Sequence, residues 1–244
     1  MTELHLAHLY PKELGINGDV GNVMALSFRA RAYGLNVRVT DVHRGQSLPD
    51  DIDLVHIGSG PTDLLELVLP DIRRISEVLH VLKDSGVPFL AISAGWFALG
   101  TNVTFEDGTT ATGAAVFPTS VSIQATRAVG EVELNTEFGV VAGFENHSSR
   151  VDDGGLPHFG RMIHGVGSDS SLRQSDRWDG VIMGASIATN VHGPLLPMNP
   201  AIADALIERA MRRKHPSWNV PNEAGLSEVD EFARKSRVAV HERL

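Results

Sequence analysis

The tightest constraint on this chain is a rhythm in its first hundred residues, where short apolar runs ending in small or polar residues alternate with stretches of helical periodicity. Leu4 to Leu9 fits a first strand, followed by a loop punctuated by Gly15, Gly18 and Gly21. From Val20 to Tyr33 apolar residues recur at helical spacing (Val23, Leu26, Ala30), with Arg29 and Arg31 expected on other faces and Gly34 as the residue past the helix end. Asn36 to Val42 alternates as a second strand, and Asp53 to Ile57 is a third, ending in Gly58-Ser59-Gly60. The next helical stretch is expected to break in two at Pro70, Gly86 ends it, and Val87 to Ile92 is a fourth strand. This order describes an α/β protein with a parallel sheet flanked by helices. Ligands in such sheets bind outside the C-terminal strand ends, which points to Gly58-Ser59-Gly60 and to Ile92-Ser93-Ala94-Gly95.

After Gly100 the texture changes to Gly, Thr, Val and Ser with short apolar stretches, which reads as a β-rich, partly antiparallel second half. Asn199 to Arg213 is expected to be helical, Pro216 and Pro221 to form a hinge, and Glu223 to Leu244 to be a charged helix with Leu226, Val229, Phe232 and Val238 on its apolar side. The chain therefore divides into a main domain, residues 1–214, and a helical tail, residues 215–244. That tail either docks a partner or packs on its own domain.

Composition narrows the function classes. Acidic residues outnumber basic ones, 30 against 21 in 244 residues, so a diffuse nucleic-acid-binding surface is not expected. No apolar run reaches the roughly 18 residues of a membrane span, and the N-terminus has no signal-peptide pattern, so a cytoplasmic location is expected. With no cysteine there is no disulfide and no thiol nucleophile, and the 11 histidines show no metal-ligand spacing, so neither metal nor cofactor is expected.

Three segments could carry chemistry. Ser93 leaves a strand for a helix between small neighbours, which suits a nucleophile elbow whose next N–H holds an oxyanion; a serine capping the helix is the plainer alternative. His192 leaves a β-like run into Gly193-Pro194, either as a base at a strand end or as a turn histidine. Glu145, Asn146 and His147 offer polar side chains, and Arg127 could grip a carboxylate or lie solvated on the surface. The segment Gly15 to Asn22 could cradle an anion at a helix start, although it is neither GxGxxG nor a P-loop.

Taken in order, Gly18-Asp19-Val20-Gly21-Asn22, Ile57-Gly58-Ser59-Gly60, the Ser93 elbow, Gly143-Phe144-Glu145-Asn146-His147 and His192-Gly193-Pro194-Leu195-Leu196-Pro197-Met198-Asn199-Pro200 resemble the class I glutamine amidotransferases of the CobB/CobQ-like branch. The resemblance spans roughly residues 4–214. Within that branch it is greatest to the GatD-type glutaminase subunits of lipid II isoglutaminyl synthase. It implies a Rossmann-like, flavodoxin-like fold and hydrolysis of the L-glutamine side-chain amide, with the ammonia passed to a MurT-like Mur ligase subunit in a heterodimer. That partner amidates D-glutamate of the lipid II stem peptide in peptidoglycan synthesis. Carried over by position, Ser93 takes the nucleophile's place and His192 that of the base. Ala94 and the Gly58-Ser59-Gly60 loop form the oxyanion hole, and Arg127, Asn146 and His147 line the glutamine site. Pro194 stands where many members carry the third, acidic member, which in GatD-type proteins is expected from the partner.

The departure is at the nucleophile, where the family has Cys and this chain has Ser93; Ala94 to Phe97 also differ from the usual pattern. Three readings stand: a natural chain that has lost hydrolysis and acts as a scaffold or regulatory subunit, a substitution made to trap glutamine, or a serine that itself hydrolyses an amide or ester. The last needs an acid of this chain beside His192. An amidotransferase for another acceptor is a further alternative.

Overall fold

The structure is a computed structural model and describes residues 2–222 and 224–244. Among the described residues the elements run β1 (Glu3–Leu9), α1 (Val20–Ala32), β2 (Asn36–Val42), β3 (Leu54–Ile57), α2 (Thr62–Arg74), α3 (Ser76–Asp84), β4 (Phe89–Ile92) and α4 (Ala94–Leu99). There follow β5 (Asn102–Thr104), β6 (Thr110–Thr112), β7 (Ser120–Thr136), β8 (Gly139–Asp152), β9 (His158–His164), β10 (Trp178–Met183), β11 (Ser186–Thr189) and β12 (Val191–His192). The chain closes with α5 (Leu195–Met198), α6 (Pro200–Lys214) and α7 (Ser227–His241).

The parallel half has the order β2-β1-β3-β4-β11, the flavodoxin-like order with β11 as fifth strand. Side chains alternate across it. Ala7, Leu9, Val55, Ile57, Phe89 and Ala91 join one core with Leu65, Leu69 and Leu79 of α2 and α3. Leu4, Leu6, Leu54, Leu90 and Ile92 join another with Leu26 of α1 and Leu206 of α6. Beyond β11 the sheet is antiparallel, β11-β10-β9-β7-β8-β12. Because β12 directly follows β11 in the chain yet pairs with β8 at the far end of this path, the antiparallel wing curls back toward the parallel strands.

Three expectations are corrected. Pro70 lies inside α2, which continues to Arg74; the helix breaks at Ile75 instead. Arg29 is buried rather than turned to solvent, because Asp204 of α6 and Asp230 of α7 supply carboxylates to its guanidinium at 2.6 and 2.5 Å. In α7 it is Ala233 and Val240 that are buried, while Val229, Phe232 and Val238 are exposed. The register of that helix is set by polar contacts as well as apolar ones: Asp230 to Arg29, Arg237 to the Met198 carbonyl, and His241 to Glu133 at 3.1 Å. Glu223, the expected first residue of this helix, lies outside the described residues. Among the described residues no helix is long and apolar enough to cross a membrane.

His56, in the middle of β3, is fully buried, with one ring nitrogen 3.1 Å from the Leu90 carbonyl and the other 3.2 Å from that of Asp19. Burial, with His8 stacked 5.5 Å away, pushes its pKa down to about 3. The unfolded chain therefore binds a proton near pH 6.5 that the folded chain refuses, so this term stabilises above that pH and is lost as pH falls toward 3. Urea unfolding at pH 7 and pH 5 is expected to show a loss of about 2 kcal/mol from this residue, and His56→Gln should flatten that difference.

Candidate active site

Four loops leave the C-terminal ends of adjacent parallel strands: that after β1 carries Asp19, that after β3 Gly58-Ser59-Gly60, that after β4 Ser93, and that after β11 leads through Asn190 to His192. Parallel register alone thus gathers segments far apart in sequence at one end of the sheet.

Ser93 has φ 46° and ψ −111°, in the left-handed half of the map that non-glycine residues avoid. Holding a serine there costs about 1–3 kcal/mol, and the surroundings enforce it. The Ser93 N–H donates to the Thr189 carbonyl at 2.9 Å, and the Gly95 N–H donates to the Gly58 carbonyl at 3.0 Å. The turn is the strained elbow anticipated from the small neighbours, and Ser93 makes no side-chain capping bond to α4. A Cβ at Gly95 would lie 2.5 Å from the Gly58 carbonyl oxygen, so only glycine lets α4 lie this close to the β3 loop.

A cavity of about 180 Å³ opens at this elbow, lined by Ser59, Gly60, Ser93, Ala94, Arg127, Asn146 and His147 among others. Arg127 reaches it from an irregular part of β7, where the register against β8 shifts between Ile123 and Ala128. Its Nε donates to Asn146 Oδ1 at 2.8 Å, which orients the guanidinium fork, and Asn146 in turn donates to Asn17 at 3.4 Å. His147 Nδ1 lies 2.9 Å from Ser149 Oγ, and its Nε2 lies 3.5 Å from Glu145. Burial pushes the Glu145 carboxyl up. The His147 ring and the N–H donors of Gly167 and Val166 outweigh that and leave it below the usual carboxylate range.

Gly58 and His192 do not line the cavity. Gly58 lies beneath the elbow as acceptor for Gly95. His192 is fully buried in β12, paired with Phe144 of β8, and Gly143 permits this because a Cβ there would meet the His192 carbonyl at 2.6 Å. The turn leading to it is held by Asp179, whose carboxylate accepts from the Thr189 hydroxyl and from the Asn190 N–H at 3.0 Å, and from Ser168 Oγ at 2.8 Å. Past it, Asn199 accepts from the Ala142 N–H at 3.1 Å and donates to the Ala142 carbonyl at 2.8 Å. The two long motifs are thus stitched to each other.

Two arrangements were not anticipated. Asp19 Oδ1 lies 3.4 Å from His192 Nδ1, and Asp19 Oδ2 accepts the Ser59 N–H at 2.8 Å. The Ser59 N–H is therefore occupied, whereas among the described residues no hydrogen bond takes up the N–H of Ala94 or Gly60. Asp19 could have been found by the rule that picked out the other loops, since it too follows a parallel strand. Asp179 carries no sequence signal, because only the folded turn brings its partners together.

A parallel sheet with a strained strand-to-helix elbow and a histidine–carboxylate pair at the same strand ends is a layout also found in triad-type α/β domains. Comparison with known proteins makes this specific: residues 7–200 match the CobB/CobQ-like glutamine amidotransferase domain, and the chain belongs to that family. It is 30% identical over 88% of its length, and 87% of the relative's, to the GatD subunit of the glutamine-hydrolyzing lipid II isoglutaminyl synthase of Staphylococcus aureus. To the corresponding subunit of Streptococcus pneumoniae it is 28% identical over 87% of this chain and 82% of that one. Its fold is that of PurLQS from Thermotoga maritima (TM-score 0.58, 15% identity, 87% and 97% of the two chains). It is likewise that of the glutaminase domain of Trypanosoma brucei CTPS (TM-score 0.55, 12% identity, 89% and 96%).

Gly95→Ala is expected to destabilise the chain by about 1–3 kcal/mol, because neither the β3 loop nor the elbow can give way to the added methyl. Thermal unfolding measures the loss.

Proposed function

We propose that this chain is the glutamine-processing subunit of a two-subunit enzyme that amidates the lipid II stem peptide. The second subunit is a MurT-like Mur ligase that uses ATP to activate the α-carboxyl of D-glutamate and receives the ammonia, giving D-isoglutamine. The partner's need for ATP assigns the pair to the cytoplasm. The names of the relatives support the acceptor. The observation that carries the reading is Ser93, strained at the mouth of an amino-acid-sized cavity between a guanidinium and two free backbone N–H groups.

The chemistry follows from these groups. Arg127 pairs with the α-carboxylate of L-glutamine, with Asn146 and His147 completing the polar lining. The Ser93 hydroxyl attacks the side-chain carboxamide carbon and its proton passes to His192 Nε2. The oxyanion accepts hydrogen bonds from Ala94 and Gly60. The C–N bond then breaks, the proton leaves with the nitrogen as ammonia, and water hydrolyses the γ-glutamyl ester to glutamate and free Ser93.

One observation favours a second reading, glutamine binding without turnover: among the described residues His192 Nε2 has no hydrogen-bond partner, so the Ser93 hydroxyl is not engaged by its base. A hydroxyl without that contact is a poor nucleophile, whereas a thiol ionises at a pKa of about 8.5.

Glutamate release should be assayed for the chain and for Ser93→Cys, each alone and with a co-expressed ligase partner. Ser93→Cys is expected to be faster by about two orders of magnitude. Failure of both forms, with partner, either to bind or to hydrolyse glutamine would remove both readings. Arg127→Ala is expected to raise KM for glutamine about ten- to hundredfold through loss of a charge-assisted bond, with a smaller effect on kcat.

A further inference from the structure

Resting on the hydrolytic reading above, we propose that Asp179 is a positioning residue: it fixes the Ser93 elbow and the His192 strand relative to each other by holding the turn through which the chain passes from one to the other.

Between Thr189, the last residue of β11, and Val191, the first of β12, the chain leaves the parallel strands for the antiparallel wing. On the near side of this turn β11 pairs with β4, and the Thr189 carbonyl accepts the Ser93 N–H at 2.9 Å. On the far side β12 pairs with β8 and carries His192. Asp179 is buried on β10 and engages each residue of the turn. Its Oδ2 accepts the Thr189 hydroxyl and the Asn190 N–H, the latter at 3.0 Å. The Val191 N–H donates to the same Thr189 hydroxyl at 3.1 Å, so this donor is also tied to Asp179, through one intermediary. Oδ1 accepts Ser168 Oγ at 2.8 Å and the Asn190 side-chain amide at 3.3 Å.

Asp179 does not line the cavity, so it acts through these bonds and not on substrate. The turn cannot drift without leaving a buried donor or the carboxylate itself unpaired, which burial makes costly. Both oxygens of the side chain face donors, so only a group that accepts at both positions fits. An amide in its place would turn an NH2 toward two of them. Asp179→Asn is therefore disruptive although it keeps the side chain's shape. The groups that hold glutamine in the proposed mechanism, Arg127 and Asn146, lie on β7 and β8 and bond to each other rather than to Asp179. Loss of Asp179 thus falls on the placement of nucleophile against base, where a shift of about 1 Å costs about 10²-fold in rate. The hydroxyl of Thr189 shares this role, since it links the carboxylate to the Val191 N–H while the carbonyl of the same residue holds Ser93.

Two measurements on the full chain test this, each with Asp179→Asn and with the milder Thr189→Val, which removes one hydroxyl and keeps the side chain's shape. Amide hydrogen exchange read by NMR should show the Ser93 N–H exchanging about tenfold faster or more in both variants, with Leu6 of β1 and Val55 of β3 unchanged, and Thr189→Ser should restore the protection. Unchanged protection at Ser93, or a rise of equal size at Leu6 and Val55, would overturn the proposal. In the Ser93→Cys background with a co-expressed ligase partner, Asp179→Asn and Thr189→Val should lower kcat for glutamine by about 10²-fold with little change in KM, while Thr189→Ser keeps the kcat of its background. A loss carried by KM, or one that Thr189→Ser shares in full, would also overturn it. If Asp179→Asn does not fold, the Thr189→Val and Thr189→Ser pair decides by the same outcomes. If Ser93→Cys hydrolyses no glutamine under any condition, the functional reading fails, while exchange at Ser93 still decides whether Asp179 holds the elbow through the turn.

Discussion

The buried Asp19 carboxylate is the point at which three strand-end loops meet. Its own loop follows β1, its Oδ2 holds the N–H of Ser59 after β3, and its Oδ1 faces His192 beyond β11. The Gly95-to-Gly58 hydrogen bond ties the β3 loop in turn to the elbow after β4. Buried polar groups are costly unless they are partnered, so a network with its centre out of solvent fixes the relative positions of all four loops.

The antiparallel wing closes the other side of the cavity. Its hairpin of β7 and β8 delivers Arg127 and the Asn146–His147 pair, and it clamps β12 so that His192 comes to the same end of the sheet as Ser93. Asp179 and Asn199 hold the two ends of the His192 segment by bonds to backbone. Much of the motif content of this chain therefore serves to hold backbone in place, and the groups able to do chemistry are few.

The lack of cysteine changes what this architecture has to supply. A thiolate attacks with little help, whereas a hydroxyl needs a base of fixed tautomer and a formed oxyanion site. In this chain Asp19 lies beside His192, and among the described residues no hydrogen bond takes up the N–H groups of Ala94 and Gly60. Among the described residues nothing engages Nε2 of His192, the nitrogen that the Ser93 hydroxyl would have to reach.

By itself the sequence determined the parallel half of the fold and the location of the cavity, because strand alternation, helical periodicity and glycines at strand ends are local patterns that survive without tertiary context. The elbow at Ser93 was legible for the same reason: small residues on both sides allow a backbone that larger ones forbid. Pro70 misled because helix packing on both sides of it outweighs one missing hydrogen bond. Arg29 misled because two carboxylates distant in sequence make burial of its charge favourable. Which acid faces His192, which N–H of the Gly58-Ser59-Gly60 loop stays free, and which face of α7 is buried were decided only by the tertiary structure. Each depends on contacts between residues separated by more than thirty positions, and no local pattern encodes those.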